Sequence, residues 1–563
     1  MSRPAPMPLP RATLPALTVA LLTLPVGLGL FFTLAPALGY MGTGEAPFMR
    51  LADWPGIGPA TRLSLSTGFA ATALSLAITA LIAAGWHGTR AFALLHRLLS
   101  PLLSVPHAAA AFGLALLIAP SGWLARALSP WLTGWSTPPD LLIVQDSAGL
   151  ALIAGLTAKE VPFLLLMLLA ARSQTRSEAH ARVATTLGYA RAVGWLLTAF
   201  PALYAQIRLP VYVVLAYSMS VVDVAMILGP NTPPTLSVQI TRWMADPDLT
   251  LRGVAAAGAL WQLALVLAAL AGWRGLEALT ARAGTALAMS GRRLHGLNTA
   301  LRALGLALGL AVALSVLAGL ASQVLWSVAG YWGFPDALPD DLSLRTWARH
   351  GPMLAPVALT TLLIAGLAAL FALALVTGCL EAEARHGFRM GAGGRLILYL
   401  PLLIPQIAFL PGLQILMLTL GLREGLWPVL LSHLTFVIPY TLIALSGPFH
   451  AVDSRYFTAA ASLGAAPNRR FWRLRLPLLL APLLTAFAVG FAVSVGQYLP
   501  TLLLGGGRVT TLTTEAVALT SGGDRRAIGA YALAQTAAAL LPFALALALP
   551  RLLFANRKGM RGG

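Results

Sequence analysis

The 563 residues are 58% hydrophobic and only 10% charged, with a mean hydropathy of +0.79, where a water-soluble domain carries about 25% charge; such a chain cannot cover itself with polar surface, which excludes a soluble globular protein. A single cysteine, Cys379, excludes an internal disulfide and a cysteine metal cluster. The net charge of +19 raises nucleic acid as a partner, and the placement of the charges along the chain decides that point.

A membrane helix needs roughly 20 mostly apolar residues, and the chain supplies many such runs, whereas the short alternating segments of a barrel do not occur. After MSRPAPMPLPR, a first run covers about Leu14 to Leu38. Ala35-Pro36-Ala37 resembles a signal-peptidase site, but the run exceeds the roughly 7–15 apolar residues of a secretory segment and reads as a span that stays. Further spans are expected near Leu63–Ala84, Pro101–Ile118, Ser147–Ala171, Ile207–Leu228 and Val254–Gly272. A polar, basic stretch runs from Trp273 to Asn298. A second set follows near Leu301–Leu325, Ala355–Gly378, Leu396–Leu420, Trp427–Ser446, Leu478–Leu504 and Ala527–Leu549. The expectation is an all-α polytopic membrane protein of about 12 helices. It divides into a six-helix half (residues 1–273), a basic cytoplasmic linker (274–298) and a second six-helix half (299–563).

Placing the N-terminus in the cytoplasm puts 25 of the 38 Lys and Arg, but only 5 of the 19 Asp and Glu, on the cytoplasmic side. The outside receives 11 basic and 12 acidic residues, as the positive-inside rule expects. Topology accounts for the whole net charge, so nucleic acid is not needed. Both termini are expected in the cytoplasm.

The halves repeat. A shift of 276 residues brings Gly188 onto Gly464, Pro201 onto Pro477, Ser218 onto Ser494, and Leu228-Gly229 onto Leu504-Gly505; a shift of 277 brings Pro162 onto Pro439. Six helices per half make the repeats parallel, related by an axis along the membrane normal, and such a pair encloses one central path.

Two repeated cytoplasmic loops stand out. In the second, Tyr456 to Pro477, small residues lead to Leu463-Gly464, and Gly464 reads as a C-cap glycine. Arg469, Arg470, Arg473 and Arg475 surround Phe471 and Trp472, and Pro477 opens the next span. In the first, Leu187-Gly188 leads through YARAVGWLLTAF to Pro201, with Trp195 in the place of Phe471. Charge alone would need no common register, so the shared spacing argues for docking into a cleft of another protein.

The pattern EAA, three residues, Gly, then Leu-Pro resembles the inner-membrane permeases of binding-protein-dependent ABC importers. It is carried by Ala459-Ala460, Leu463-Gly464 and Leu476-Pro477, and more thinly by Ala184, Leu187-Gly188 and Pro201. With SVGQYLPTLLLGGG and SMSVVDVAMILGP after the loops, the whole chain resembles two fused permease domains. It is similar to the ferric-iron, thiamine and polyamine type, and most of all to thiamine-type permeases. The resemblance implies a bacterial inner-membrane subunit with two copies of an ABC ATPase docked on the loops and a periplasmic binding protein delivering a small solute. It implies ATP and magnesium on the ATPase and no cofactor on this chain. Consistently, neither Lys159 nor Lys558 lies in a P-loop. The family's glutamate is replaced by Thr458 in the second loop and Arg182 in the first, and its first alanine by Val183 in the first loop, so unequal docking sites are expected.

Charges within spans are costly, about 2.5–3.5 kcal/mol each on insertion scales. Lys159, Glu160 and Asp223 therefore need a reason, and Gln497 lies two residues from the place equivalent to Asp223. Two readings stand. Asp223 with Glu160 or Gln497 lines a path for a cation, or Asp223 or Glu160 bonds Lys159 and holds the bundle together. The nine histidines show no metal-ligand spacing and read as solvated loop residues. Ala384 to Arg395 superficially resembles the loop motif of major-facilitator transporters but lacks its aspartate, and reads as a plain basic loop. Trp123, Trp131, Trp135 and Trp332 read as interface anchors, and Asp336, Asp340 and Asp341 as an acidic outer patch open to a cationic cargo or a binding protein. The alternatives are an ion-gradient-driven transporter of the major-facilitator class and a polytopic membrane enzyme; the latter would need a catalytic cluster that the sequence does not show.

Overall fold

Helices dominate the computed structural model, which describes residues 13–40, 46–172, 174–387 and 390–553. Arg3, Arg11 and Lys558 lie outside them. Among the described residues there is no strand, only an isolated bridge between Ala329 and Leu342. Ten helices are long and apolar enough to cross a membrane, or up to twelve if two sharply bent pairs each count as one span. In the first half the long helices are α1 (Thr13–Ala37), α2 (Ile57–Trp86), α3 (His107–Ile118), α4 (Leu150–Arg172), α5 (Phe200–Ser220) and α6 (Leu251–Met289). In the second they are α7 (His295–Val328), α8 (Arg345–His386), α9 (Ala392–Leu403) with α10 (Gln406–Thr419), α11 (Leu426–Ala451), α12 (Leu480–Val495) and α13 (Arg525–Leu553).

Three expected spans are not straight. Leu396–Leu420 is broken at Ile404-Pro405, where the two parts meet at 88°. Pro405 is the N-cap of α10, as Pro106 is of α3. A proline has no N–H to give to a preceding turn, so it starts a helix well and continues one badly. The other two breaks are in the fifth span of each half. α5 stops at Ser220 and the chain restarts at Asp223–Leu228; α12 stops at Val495 and restarts at Leu499–Gly505. The stretch from Trp273, expected as a linker, is helical almost throughout. α6 runs 39 residues to Met289, roughly 58 Å at 1.5 Å per residue. Only Ser290 to Leu294 separates it from α7.

The first helix of each half packs against the other half. α1 lies along α10, and α7 lies along α3 and α2. Both crossings are made glycine on glycine. A Cβ on Gly412 would strike the Gly29 carbonyl and reach Thr33, and one on Gly113 would come within 2.8 Å of the Gly319 backbone. In lipid there is no hydrophobic gain from helix association, so close backbone approach through small residues supplies the dispersion contact. Gln323 adds a hydrogen bond to the Ala109 carbonyl across the second crossing.

At the end of the bundle opposite the repeated loops the halves are joined again. Arg126 is buried, donates to the Gly333 and Trp332 carbonyls, and lies over the Trp332 ring at 4.7 Å. Trp123 Nε1 donates to Ala337 O at 3.1 Å, and Arg525 donates to Ser121 O at 2.9 Å. Trp332, expected to anchor in the lipid interface, instead packs on Trp326 and Arg126 and donates to Asp336 O at 2.8 Å. Trp131 remains exposed. Asp341 accepts from the Tyr331 N–H at 2.8 Å, so part of the acidic patch holds its own loop.

Leucine at Gly412 or Gly319 is expected to destabilise the fold by about 1–3 kcal/mol or more through overpacking. The same change at Gly447, which faces open space, should be nearly neutral. Melting and monodispersity of the detergent-solubilised protein measure this, and equal behaviour of Gly412→Leu and Gly447→Leu would refute the crossing as a packing constraint.

Candidate functional site

The two repeated loops fold alike. Each is a short helix, a left-handed glycine and a second helix: α14 (Ser177–Thr186), Gly188 at φ 83° and α15 (Arg191–Thr198) in the first half. In the second half they are α16 (Ser454–Ser462), Gly464 at φ 78° and α17 (Pro467–Arg470). In the first loop Gly188 N donates to Thr185 O and Tyr189 N to Ala184 O; in the second Gly464 N donates to Ala461 O and Ala465 N to Ala460 O. Both are Schellman turns, which need a residue without Cβ strain at the glycine position. The turns leave an apolar residue exposed at the tip, Leu187 at 58% and Leu463 at 86%. Val183 and Ala459 are exposed beside them.

The loops differ in what supports them. Ala184, Tyr189 and Val193 are buried in a small apolar cluster with Leu197, Leu294 and Leu301. The segment joining the halves closes over this cluster: Arg293 stacks on the Tyr189 ring at 4.2 Å, Tyr189 Oη donates to Ala288 O at 3.2 Å, and Asn298 Oδ1 accepts from Ala192 N at 3.1 Å. Trp195 packs on Phe200 in the first turn of α5, next to Pro201. In the second loop none of α16, α17 or the π-helical turn Phe471–Arg475 has a buried residue. Its supports are polar. Arg475 pairs with Glu381 of α8 and lies 4.1 Å over Phe457, and Arg385 donates to Asn468 Oδ1 at 3.0 Å. Pro477 falls before a 74° bend, so the straight span begins at Leu480 and not at the proline.

Another cluster ties the first loop to the bundle. Arg172 donates to His87 and pairs with Glu178, and Arg191 donates to the His87 carbonyl. Burial and the neighbouring Arg172 hold the His87 imidazole below its ordinary pKa, so it stays neutral and accepts.

Between the halves lies a second polar cluster. Glu160 of α4 is 3.2 Å from His107 Nε2, and the His107 ring lies 4.9 Å from that of Tyr217. Asp223 opens the short helix after the break in α5, is only 7% exposed, and lies within electrostatic reach of His107, Tyr217 and Tyr498. Tyr440 of α11 lies within reach of Glu160 and Tyr217. Gln497 is buried in the corresponding break of the second half, where Gly496 faces Pro106. Glu160 and Asp223 thus converge on His107 at the start of α3, and the backbone beside Gln497 approaches the same turn at Pro106. Lys159 does not hydrogen-bond either acid; its Nζ donates to Leu102 O at 2.6 Å and Leu103 O at 3.5 Å. Lys159 is therefore bound to free carbonyls where the chain turns into α3, which displaces the reading of an ion pair with Asp223 or Glu160.

Sequence reasoning missed several of these residues. His107 and His433 are not solvated loop histidines. His433 is buried and bridges the second break, with Nδ1 2.8 Å from Ser494 Oγ and Nε2 3.0 Å from Thr501 Oγ1. Arg293, Asn298 and the tyrosines carried no spacing signal. Among the described residues no group of His, Cys, Asp or Glu could hold a metal ion.

Residues 371–558 match the family model described as binding-protein-dependent transport system inner membrane component. Over 542 residues, 94% of this chain and 96% of the relative, the sequence is 33% identical to the inner membrane ABC transporter permease protein YnjC of Escherichia coli. Over 125 residues, 22% of this chain and 49% of the relative, it is 30% identical to the spermidine/putrescine transport system permease protein PotC of Haemophilus influenzae. Over 211 residues, 36% and 78% respectively, it is 28% identical to PhnV of Salmonella typhimurium, named for a 2-aminoethylphosphonate transport system.

Hydrogen exchange distinguishes the two loops. Amides of residues 190–198 should exchange more slowly than those of 466–475, and Asn298→Ala with Arg293→Ala should speed the first set by about tenfold while sparing the second. Glu381→Gln should speed only the second, because it removes the partner of Arg475 there. A common rate, or a common response, would refute the difference in support. The His87 contact has a defined pH sign. Its pKa is lowered in the folded state, so no cost exists above the ordinary value of 6.5. As pH falls below that value the unfolded chain takes the proton more readily, and stability is lost. His87→Gln should flatten that part of the pH–stability curve.

Proposed function

The chain belongs to the inner-membrane components of binding-protein-dependent ABC transport systems, and we propose that it supplies both permease halves of one importer in a single polypeptide. As a permease subunit it is a transport component. Family membership removes the ion-gradient-driven transporter from consideration.

On this reading, two ATPase subunits dock on the cytoplasmic loops, with ATP and magnesium bound there and no cofactor on this chain. The exposed tips carry the contact: Leu187 and Gly188, flanked by Ala184, Trp195 and Pro201, and Leu463 and Gly464, flanked by Ala459, Ala460, Phe471 and Pro477. Both termini lie in the cytoplasm, and a periplasmic binding protein delivers a small solute to the outer face. ATP-driven closure of the two ATPases draws the loops together and opens the bundle outward, and hydrolysis resets it. The solute passes between the halves, along Glu160, Asp223 and Gln497.

One observation carries this reading best. The same Schellman turn, with the same exposed leucine, occurs at both loops 276 residues apart. A loop that merely connected two spans would need no such duplication.

The purified chain is expected to hold a nucleotide-binding subunit, and uptake in proteoliposomes to stop without ATP; persistence of uptake without ATP would refute the reading. Glutamate at Gly464 is expected to abolish uptake, because a side chain there is strained in a left-handed conformation and the loop is held by polar contacts alone, without a buried residue of its own. The same change at Gly188 should cost less, since Arg293 lies 3.8 Å from the added Cβ and the clasp holds the loop. Equal loss from both would show that the loops are used equally.

A further inference from the structure

We propose that the basic side of the second loop, carried by Arg469, Trp472 and Arg473, docks on the anionic headgroups of the surrounding membrane. The inference needs only that the chain spans a bilayer, and it is independent of the solute carried.

The run Pro467–Leu478 is helical, with a π turn at Phe471–Arg475, and stands at 74° to α12. A span along the membrane normal leaves such a run close to the membrane plane, just where the chain enters the bilayer. Arg469, Trp472 and Arg473 are spaced by three and four residues, so they share one side of the helix. All three are exposed, Trp472 at 67%. The other side is spent on protein: Arg385 lies over the Phe471 ring at 6.0 Å, and Arg475 pairs with Glu381.

The charge inventory leaves the two arginines unanswered. Among the described residues neither Arg469 nor Arg473 has an ion-pair partner. The acids of the elements beside the loop are committed elsewhere. Glu381 holds Arg385 and Arg475, Glu383 meets His450 at 3.7 Å and the Met390 N–H, and Asp453 caps α16 through the Arg455 N–H.

The repeat supplies an independent argument. Under the 276-residue shift Arg469, Trp472 and Arg473 correspond to Val193, Leu196 and Leu197. Val193 and Leu197 pack with Leu294 of the joining segment and Leu301 of α7. Where protein covers the first loop, the second therefore carries exposed cations and an indole. Arginines that only oriented a span would need neither a common side nor a tryptophan. The combination suits a headgroup layer, where an indole sits at the boundary between water and acyl chains and guanidinium groups draw phosphates. The exposed tip at Leu463 lies across the Gly464 turn from this run, so ATPase docking there leaves the helix side to lipid. Anionic lipid then holds the second loop as the joining segment holds the first.

Hydrogen exchange of the full chain, alone and with its ATPase partner, tests this in nanodiscs of phosphatidylcholine with and without phosphatidylglycerol. Phosphatidylglycerol is expected to slow the amides of residues 468–476 by about tenfold, since each arginine near an anionic surface contributes about fivefold in binding. It should leave residues 190–198 unchanged. Arg469→Gln with Arg473→Gln should abolish the slowing, whereas Arg469→Lys with Arg473→Lys should keep most of it. Trp472→Ala should reduce it by about threefold. Only variants with the wild-type melting temperature are compared, so loss of fold is not read as loss of lipid contact. The proposal is overturned if phosphatidylglycerol leaves 468–476 unchanged, slows 190–198 equally, or acts equally on the glutamine pair. Equal slowing by inorganic phosphate in phosphatidylcholine alone would also overturn it, by making this a site for a free anion. So would slowing that needs the ATPase and ignores phosphatidylglycerol, which would assign the helix side to the ATPase.

Discussion

In hydrocarbon a freed backbone group has no water to turn to, and each one left unpaired costs several kcal/mol. Both halves interrupt their fifth span in the membrane, and the fold is arranged around meeting that cost. Before the break, the Met219 carbonyl takes a hydrogen bond from Gln262 at 3.0 Å, and the Val495 carbonyl takes one from Thr513, which Gln535 supports in turn. After it, the Leu228 and Leu504 carbonyls accept from the N–H of Gln145 and Gly425. Beyond that, the Leu236 and Leu512 amides are answered by Ser64 at 3.1 Å and Thr361 at 2.9 Å. The two halves thus solve one problem at equivalent places with different side chains. Because the break is stabilised from outside, Asp223 and Tyr498 can stand at the opened turns and face the centre.

The same duplication makes the departures from symmetry informative. His433 ties the two pieces of the second break through Ser494 and Thr501, while the Ser218 hydroxyl, at the place of Ser494, has no hydrogen-bond partner among the described residues. The first break is held less firmly by side chains than the second. In the repeated loops the order reverses: the first is fastened by apolar contacts, hydrogen bonds and the stacked Arg293 of the joining segment, with the Arg172–Glu178 pair beside them, and the second by charged pairs without a buried cluster. A mechanical input to the first loop reaches α7 directly through Asn298, and α7 leans on the first half through Arg302, whose carbonyl accepts from Trp86 Nε1 at 2.7 Å. Input to the second loop passes instead to α8, through Arg475 and Glu381.

Much of this was legible in the residues. Apolar run lengths give the spans, because bilayer thickness leaves little freedom. The register of Gly188 with Gly464 was visible because a left-handed turn tolerates few residues other than glycine. That Glu160 and Asp223 need partners inside the bundle was foreshadowed by their cost in a span, and both lie near His107. What was not legible depends on pairs far apart in the chain. Nothing around Lys159 shows that it is spent on the carbonyls of Leu102 and Leu103. Nothing around Trp332 shows that Arg126 waits beneath it. Breaks without a proline, such as that at Val221-Val222, read as continuous apolar helix, since hydropathy does not report backbone geometry.

The exchange of first helices has a consequence for how the protein is made. α1 leaves the ribosome well before its partner: the surface around Gly29 and Thr33 is completed only by Gly412, about 380 residues later. At bacterial synthesis rates of about 5–20 residues per second the wait is on the order of tens of seconds. Throughout it α1 must sit in the bilayer with its closest-packing face turned to lipid. The Thr33 hydroxyl, already bonded to the Gly29 carbonyl at 2.9 Å, closes one polar group on that face, whereas Pro25 has no N–H for the Leu21 carbonyl, which is met by Thr435 Oγ1 of the later half at 3.3 Å. Assembly of this membrane protein is thus a late closure, in which the last-made half locks the first-made helix into place.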